Sequence, residues 1–125
     1  MRANRLASLG AVLCVMLVAG GCGAEPPQAP PRQAAKLDSS LSGIATACGL
    51  TDQLSAFAPP PAAQLAVLEA TAGTQAAKLA AVYRANPRWI YQGEAVRRIV
   101  DQAISLLDSC RLSKAQAALA RATGR

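Results

Sequence analysis

The chain has 125 residues, with 13 basic and 7 acidic side chains, no histidine, and a formal net charge of +6. That length holds one small domain and not two, and the missing histidine removes the familiar nucleophile–base arrangements of covalent catalysis. The hydrophobic share of 52% overstates the core, because Ala supplies 29 residues and the aromatics are only Phe57, Tyr83, Trp89 and Tyr91. Ala favours helix but buries little area, so closely spaced helices of modest stability are expected.

At the start, Met1-Arg2-Ala3-Asn4-Arg5 is a positive n-region and residues 6–19 form an apolar run of the length of a signal peptide. That run is short for a spanning helix, which needs about 20 apolar residues. Gly20-Gly21 then place small side chains directly before Cys22, whose thiol can carry diacylglycerol as a thioether. Here the chain resembles bacterial lipoproteins, with Ala19 where Leu is usual; Cys14 does not compete, because the bulky Leu13 precedes it. The resemblance covers residues 1–22. It implies removal of residues 1–21, lipidation of Cys22, and an extracytoplasmic protein anchored to the bacterial cell membrane. Two or three acyl chains such as palmitate make that attachment effectively permanent, where one would not. An ordinary secretory signal cut near Ala24 is the alternative.

Removing residues 1–21 takes away Arg2 and Arg5 and leaves 104 residues, 11 basic and 7 acidic, with a net charge of about +4. In that compartment nucleic acid is not an expected partner. Anionic lipid headgroups are, at about 1 kcal/mol per Lys or Arg near the surface. With Cys14 discarded and Cys22 lipidated, Cys48 and Cys110 remain as an even pair, which reads as a disulfide in an oxidising compartment. Closing that loop stabilises by about 4 kcal/mol. A two-cysteine metal site is the alternative, and without histidine no metal or cofactor is expected.

Residues 22–32 read as a lipidated cysteine and Pro-rich tether, and residues 33–125 as the helical domain. The prolines exclude helix and sheet from the tether and extend it to roughly 30 Å. From Gln33, Leu37, Leu41, Ile44 and Cys48 form one helical stripe, and Gly49 is placed to end that helix as a left-handed cap. Residues 50–58 read as a connection, with Thr51 or Asp52 capping a short turn around Leu54 and Phe57. Pro59-Pro60-Pro61 opens the second helix, whose apolar face is Leu65, Leu68, Ala72, Leu79 and Val82. Gly73 interrupts it at a cost of about 1 kcal/mol, marking either a close approach or a bend, and Asn86-Pro87 stops it.

The third helix begins at Pro87 or only after Gly93, and carries Val96, Val100, Ala103, Leu107 and Cys110 on one stripe, widened by Ile99 and Leu106. Ser113 and Gln116 form a capping-box pattern for a fourth short helix to about Ala122; with Leu119 as its one large apolar residue, it is expected to fray. No strand pattern of useful length and no internal repeat appears. The expected fold is all-α, an up-down-up three-helix bundle with a short C-terminal fourth helix. In it the first and third helices run parallel, and a bridge joins Cys48 and Cys110 at their C-terminal ends.

The carboxylates Glu25, Asp38, Asp52, Glu69, Glu94, Asp101 and Asp108 lack calcium-loop spacing, and a thin bundle offers no cleft for a glycosidase-type pair. No catalytic residue is expected. Two features invite a functional reading. Arg88, Trp89 and Tyr91 concentrate the residue types of tight interfaces at one bend, unless they merely cap the bundle. Arg97, Arg98, Arg111, Lys114, Arg121 and Arg125 suit lipid headgroups or an anionic wall polymer, unless they are ordinary solvated surface, as Glu94 three and four residues before Arg97 and Arg98 suggests. The expected function is a small helical module contacting another envelope protein. The alternative is a carrier of a small apolar molecule or lipid, in a cavity lined by Leu65, Leu68, Leu79 and Ile99.

Overall fold

The computed structural model describes residues 26–125, so the leader and Cys22 lie outside the described residues. It is mostly helical. Helix α1 spans Pro31–Leu54, α2 spans Ala62–Ala85, α3 spans Val96–Ser109 and α4 spans Ser113–Ala122. Two short strands, β1 (Ile90–Tyr91) and β2 (Glu94–Ala95), stand before α3. A disulfide joins Cys48 and Cys110, with Cα atoms 5.3 Å apart.

Helix α1 starts earlier and ends later than the sequence pattern predicts. Pro30 caps it and Pro31 occupies its first position, where a missing N–H costs nothing. Gly49 does not end it. The helix continues through residues 50–54, buries Thr51, and lets the Thr51 hydroxyl donate to the Ala47 carbonyl at 2.8 Å. Burial of Thr51 just beyond the bridged Cys48 outweighs the roughly 1 kcal/mol that a helical glycine costs. Cys48 therefore lies more than a turn inside α1, not at its end, whereas Cys110 is the C-cap residue of α3.

Residues 27–32, part of the predicted tether, are engaged by the domain. The Ile90 amide donates to the Pro27 carbonyl at 2.9 Å, and the Ala29 amide donates to the Ile90 carbonyl at 2.9 Å, so Gln28 bridges β1 in parallel. This register uses a carbonyl of one proline and the N–H of an alanine. It asks no proline for a donor, which is how proline survives at a sheet edge.

Helices α1 and α2 meet in opposite chain order. Lys36 lies near Lys78, Gly43 against Gln75, and Leu50 and Leu54 beside Val67 and Leu68. A Cβ on Gly43 would sit 2.6 Å from Gln75 Cγ, so glycine leaves the space that the Gln75 side chain occupies. At Gly73 a Cβ would meet nothing, and no close contact explains that residue. Helix α2 opens after Pro61 and stops at Asn86, as expected.

Between α2 and α3 stands a hairpin instead of plain coil. Gln92 (φ 50°) and Gly93 (φ 81°) form its two-residue loop, the positive-φ pair that matches strand twist. The Val96 amide donates to the Trp89 carbonyl at 2.8 Å and the Arg97 amide to the Pro87 carbonyl at 3.0 Å, so backbone caps α3 without a side chain.

The fourth helix is part of the core. Leu112, Ala115 and Leu119 are buried, and α2 contacts α4 more extensively than it contacts α3. Alanines 76, 77 and 80 of α2 face Ala118, Leu119 and Ala122 of α4. These small residues border a groove of about 190 Å³ between the two helices, and Leu119 is buried beside it. The expected Ser113 capping box does not form. Leu112 is the N-cap, with no side-chain cap bond, and Glu69 of α2 accepts the Ala115 amide at 2.9 Å in its place.

Candidate functional site

The residues singled out from the sequence fall at opposite ends of the helices. At one end the chain turns from α2 through the hairpin into α3. Trp89 and Tyr91 are half-buried and pack on the core, and Arg88 is exposed. These three are close in space, but the two aromatics cover the core instead of standing free. Around them lie Arg84 at the end of α2, Arg97 and Arg98 at the start of α3, and Arg121 and Arg125 at the end of α4. Arg125 binds this end together. Its Nε donates to Asp101 at 2.8 Å, its Nη2 to the Arg97 carbonyl at 3.2 Å, and its guanidinium lies 5.0 Å from the Tyr83 ring centre. Desolvation opposes the charge on Arg125, but the bonds to Asp101 and Tyr83 outweigh it and raise its pKa. Arg98 pairs with Glu94 at 3.4 Å.

The basic set is thereby divided. Arg97, Arg98, Arg121 and Arg125 share the hairpin end, while Arg111 and Lys114 lie at the disulfide end, in and just after the turn joining α3 to α4. The carboxylates do not converge either. Glu94 and Asp101 are engaged by arginines and Glu69 by a helix terminus. Among the described residues no cluster of three or more His, Cys, Asp or Glu is placed to hold a metal ion.

The disulfide end carries apolar surface that the sequence reading missed. Leu50, Phe57 and Val67 are 42%, 58% and 64% exposed. Leu50, Leu54, Val67 and Leu68 border an open groove of about 310 Å³ between α1 and α2, and Phe57 follows one turn beyond Leu54. The signal was present: Val67 falls off the α2 stripe, and Leu50 falls outside the α1 stripe. A second open groove, about 540 Å³, lies between α2 and α4 beside Leu65, Glu69, Gly73 and Lys114. The four residues expected to line one ligand cavity do not meet in one. Leu65, Leu68 and Ile99 border three different open grooves, and Leu79 is sealed in the core.

No helix among the described residues is long and apolar enough to cross a membrane. Comparison with known proteins finds no matching family model, no similar curated protein and no solved structure of similar fold.

Proposed function

We propose that this chain is an extracytoplasmic lipoprotein, anchored to the bacterial membrane through acylated Cys22, which acts without catalysis as a small helical module contacting another envelope protein. One observation carries the module reading. Three large exposed apolar side chains, Leu50 and Val67 on one groove and Phe57 just after α1, lie at the end of α1 and the start of α2, away from the end where Pro27 and Ala29 are bonded to Ile90. Exposed apolar residues gathered at one end mark interaction surfaces, and these lie at the end opposite the hairpin. The contact thus shifts from Arg88, Trp89 and Tyr91 to the apolar end. In this reading α1, α2 and α3 run up, down and up. The opposite order of the α1–α2 contacts and the link from the last third of α1 to the end of α3 support that arrangement.

Site-specific photo-crosslinking in intact cells tests the reading. A photoreactive residue at Val67 should give one discrete adduct with a second envelope protein, lost when Phe57→Ser is added. The same probe at exposed Asp108 should give none. An adduct of two copies of this chain, or no adduct at Val67, overturns the proposal. The carrier alternative would be served by the α2–α4 groove, whose walls include Ala62, Ala66 and Ala70; it predicts that an apolar fluorescent dye binds there and is displaced by Gly73→Leu.

A further inference from the structure

Resting on the reading of Cys22 as the anchored residue, we infer that the hairpin end of the domain is a basic face that lies against an anionic phospholipid surface. The first ground is segregation of charge. Arg84, Arg88, Arg97, Arg98, Arg121 and Arg125 all sit where α2 and α4 end and α3 begins. Glu94 and Asp101 are the acidic residues bonded into that end, and each is matched by one arginine. Arg84, Arg88, Arg97 and Arg121 are exposed and have no carboxylate partner among the described residues. The disulfide end is different: it carries Asp52, Glu69 and Asp108 against Arg111 and Lys114, three acidic side chains to two basic ones.

The second ground is that these cations belong to one rigid body. The Arg97 amide is bonded to the Pro87 carbonyl, the Arg97 carbonyl to Arg125, and Arg84 Nη1 reaches the Ala122 carbonyl at 3.5 Å. The third is the path of the chain. Pro27 and Ala29 are bonded to Ile90 within the same end, so four residue steps separate Cys22 from the first described residue, Pro26. At full extension those steps span no more than about 14 Å. That span keeps the basic end within about two screening lengths, each about 8 Å at physiological salt, against roughly four for a free tether of roughly 30 Å. Clustered Lys and Arg next to a membrane attachment point read as recognition of anionic lipid.

Trp89, the only tryptophan in the chain, lies in this face and reports on it. The chain as its host processes it is added to vesicles of phosphatidylcholine, or of phosphatidylcholine with about 30% phosphatidylglycerol. Quenching of Trp89 by headgroup-spin-labelled lipid is then measured at low salt and at about 0.5 M salt. Quenching should be roughly fivefold stronger on the anionic vesicles and fall to the neutral-lipid level at high salt. Arg88→Gln combined with Arg97→Gln and Arg121→Gln should abolish the difference, and Arg111→Gln with Lys114→Gln should preserve it. Equal quenching on both lipids, or a triple variant that behaves as the native chain does, overturns the inference. The mass of the same sample reports acylation separately. An unacylated chain defeats the Cys22 reading, while the salt-sensitive attraction, which needs no anchor, still decides the face.

Discussion

The two ends of the helical stack are closed by different chemistry. At the hairpin end burial is deep: five α2 residues between Ala72 and Val82 are buried, and Leu37, Val96 and Val100 are sealed against them. Backbone bonds from residues 27–29 and the side chain of Arg125 then seal that end. At the disulfide end α2 withdraws from the core, because none of its residues from Ala62 to Thr71 is buried, while Leu107, Leu112 and Ala115 stay buried there. The Cys48–Cys110 bond ties α1 to α3 at that end, and the Glu69 contact ties α2 to α4. A poorly covered end held by a covalent link can keep apolar side chains in water without opening, which is the property a docking surface requires.

Removing the covalent link should have the largest effect. Cys48→Ala with Cys110→Ala opens a separation of 62 residues, and loop-closure entropy puts the loss at about 4 kcal/mol, measured by denaturant unfolding. Amide exchange should accelerate around residues 48–70 and 107–115 well before it does in residues 76–100, because local opening follows local burial. Uniform acceleration would mean that the two ends share one cooperative core. Leu119→Ala comes next. Leu119 is 1% exposed between α2 and α4, so its truncation should cost about 2–4 kcal/mol, whereas a frayed fourth helix would lose almost nothing. Glu69→Ala follows, at about 1 kcal/mol for a lost helix cap, with Gln at that position restoring part of it. Thermal melting of the two variants separates them.

How far the sequence reveals this fold depends on the range of the forces involved. The stripe of α1, the second half of the α2 stripe, the α3 stripe without Leu106 (40% exposed), the stop at Asn86-Pro87 and the Cys48–Cys110 pair follow from local periodicity and parity, and the structure has them, whereas Leu65 and Leu68 stay only half-buried. Three features were not legible. The fourth helix is held by alanines of α2, and an alanine looks the same in a sequence whether it packs or faces water. Its cap comes from Glu69, 46 residues away, where no local pattern reaches. The pairing of residues 27–29 with Ile90 joins a proline-rich segment to a two-residue strand, each too short to announce itself. For the candidate contact, sequence favoured Trp89 by residue type. Burial, visible only in three dimensions, moved the exposed apolar surface to Leu50, Phe57 and Val67.

The smallest expected effects come from the disulfide end, where two residues have exchanged customary roles. Gly49 occupies a place that reads as a helix terminus, yet it is helical, exposed, and has nothing within 4 Å of a Cβ built on it. Arg111 carries the left-handed turn after α3, with φ at 66°. Around it the Leu112 amide donates to the Leu107 carbonyl and the Arg111 amide to the Asp108 carbonyl, the bond pair of a Schellman cap, with buried Leu112 as its apolar contact. A side chain is strained at that cap and absent where a helix would welcome one. Gly49→Ala and Arg111→Gly, substitutions of opposite sense, should therefore each raise stability by about 0.5–1 kcal/mol. Each site adjoins one cysteine of the same disulfide, so the gain in the double variant should fall short of the sum of the two single gains. Gly43→Ala is the contrast: the same change as Gly49→Ala, on the same helix, should lower stability because its new methyl runs into Gln75, and Gln75→Ala should relieve the loss. Denaturation midpoints of these variants measure whether the disulfide end has unused stability that the tightly packed α1–α2 crossing lacks.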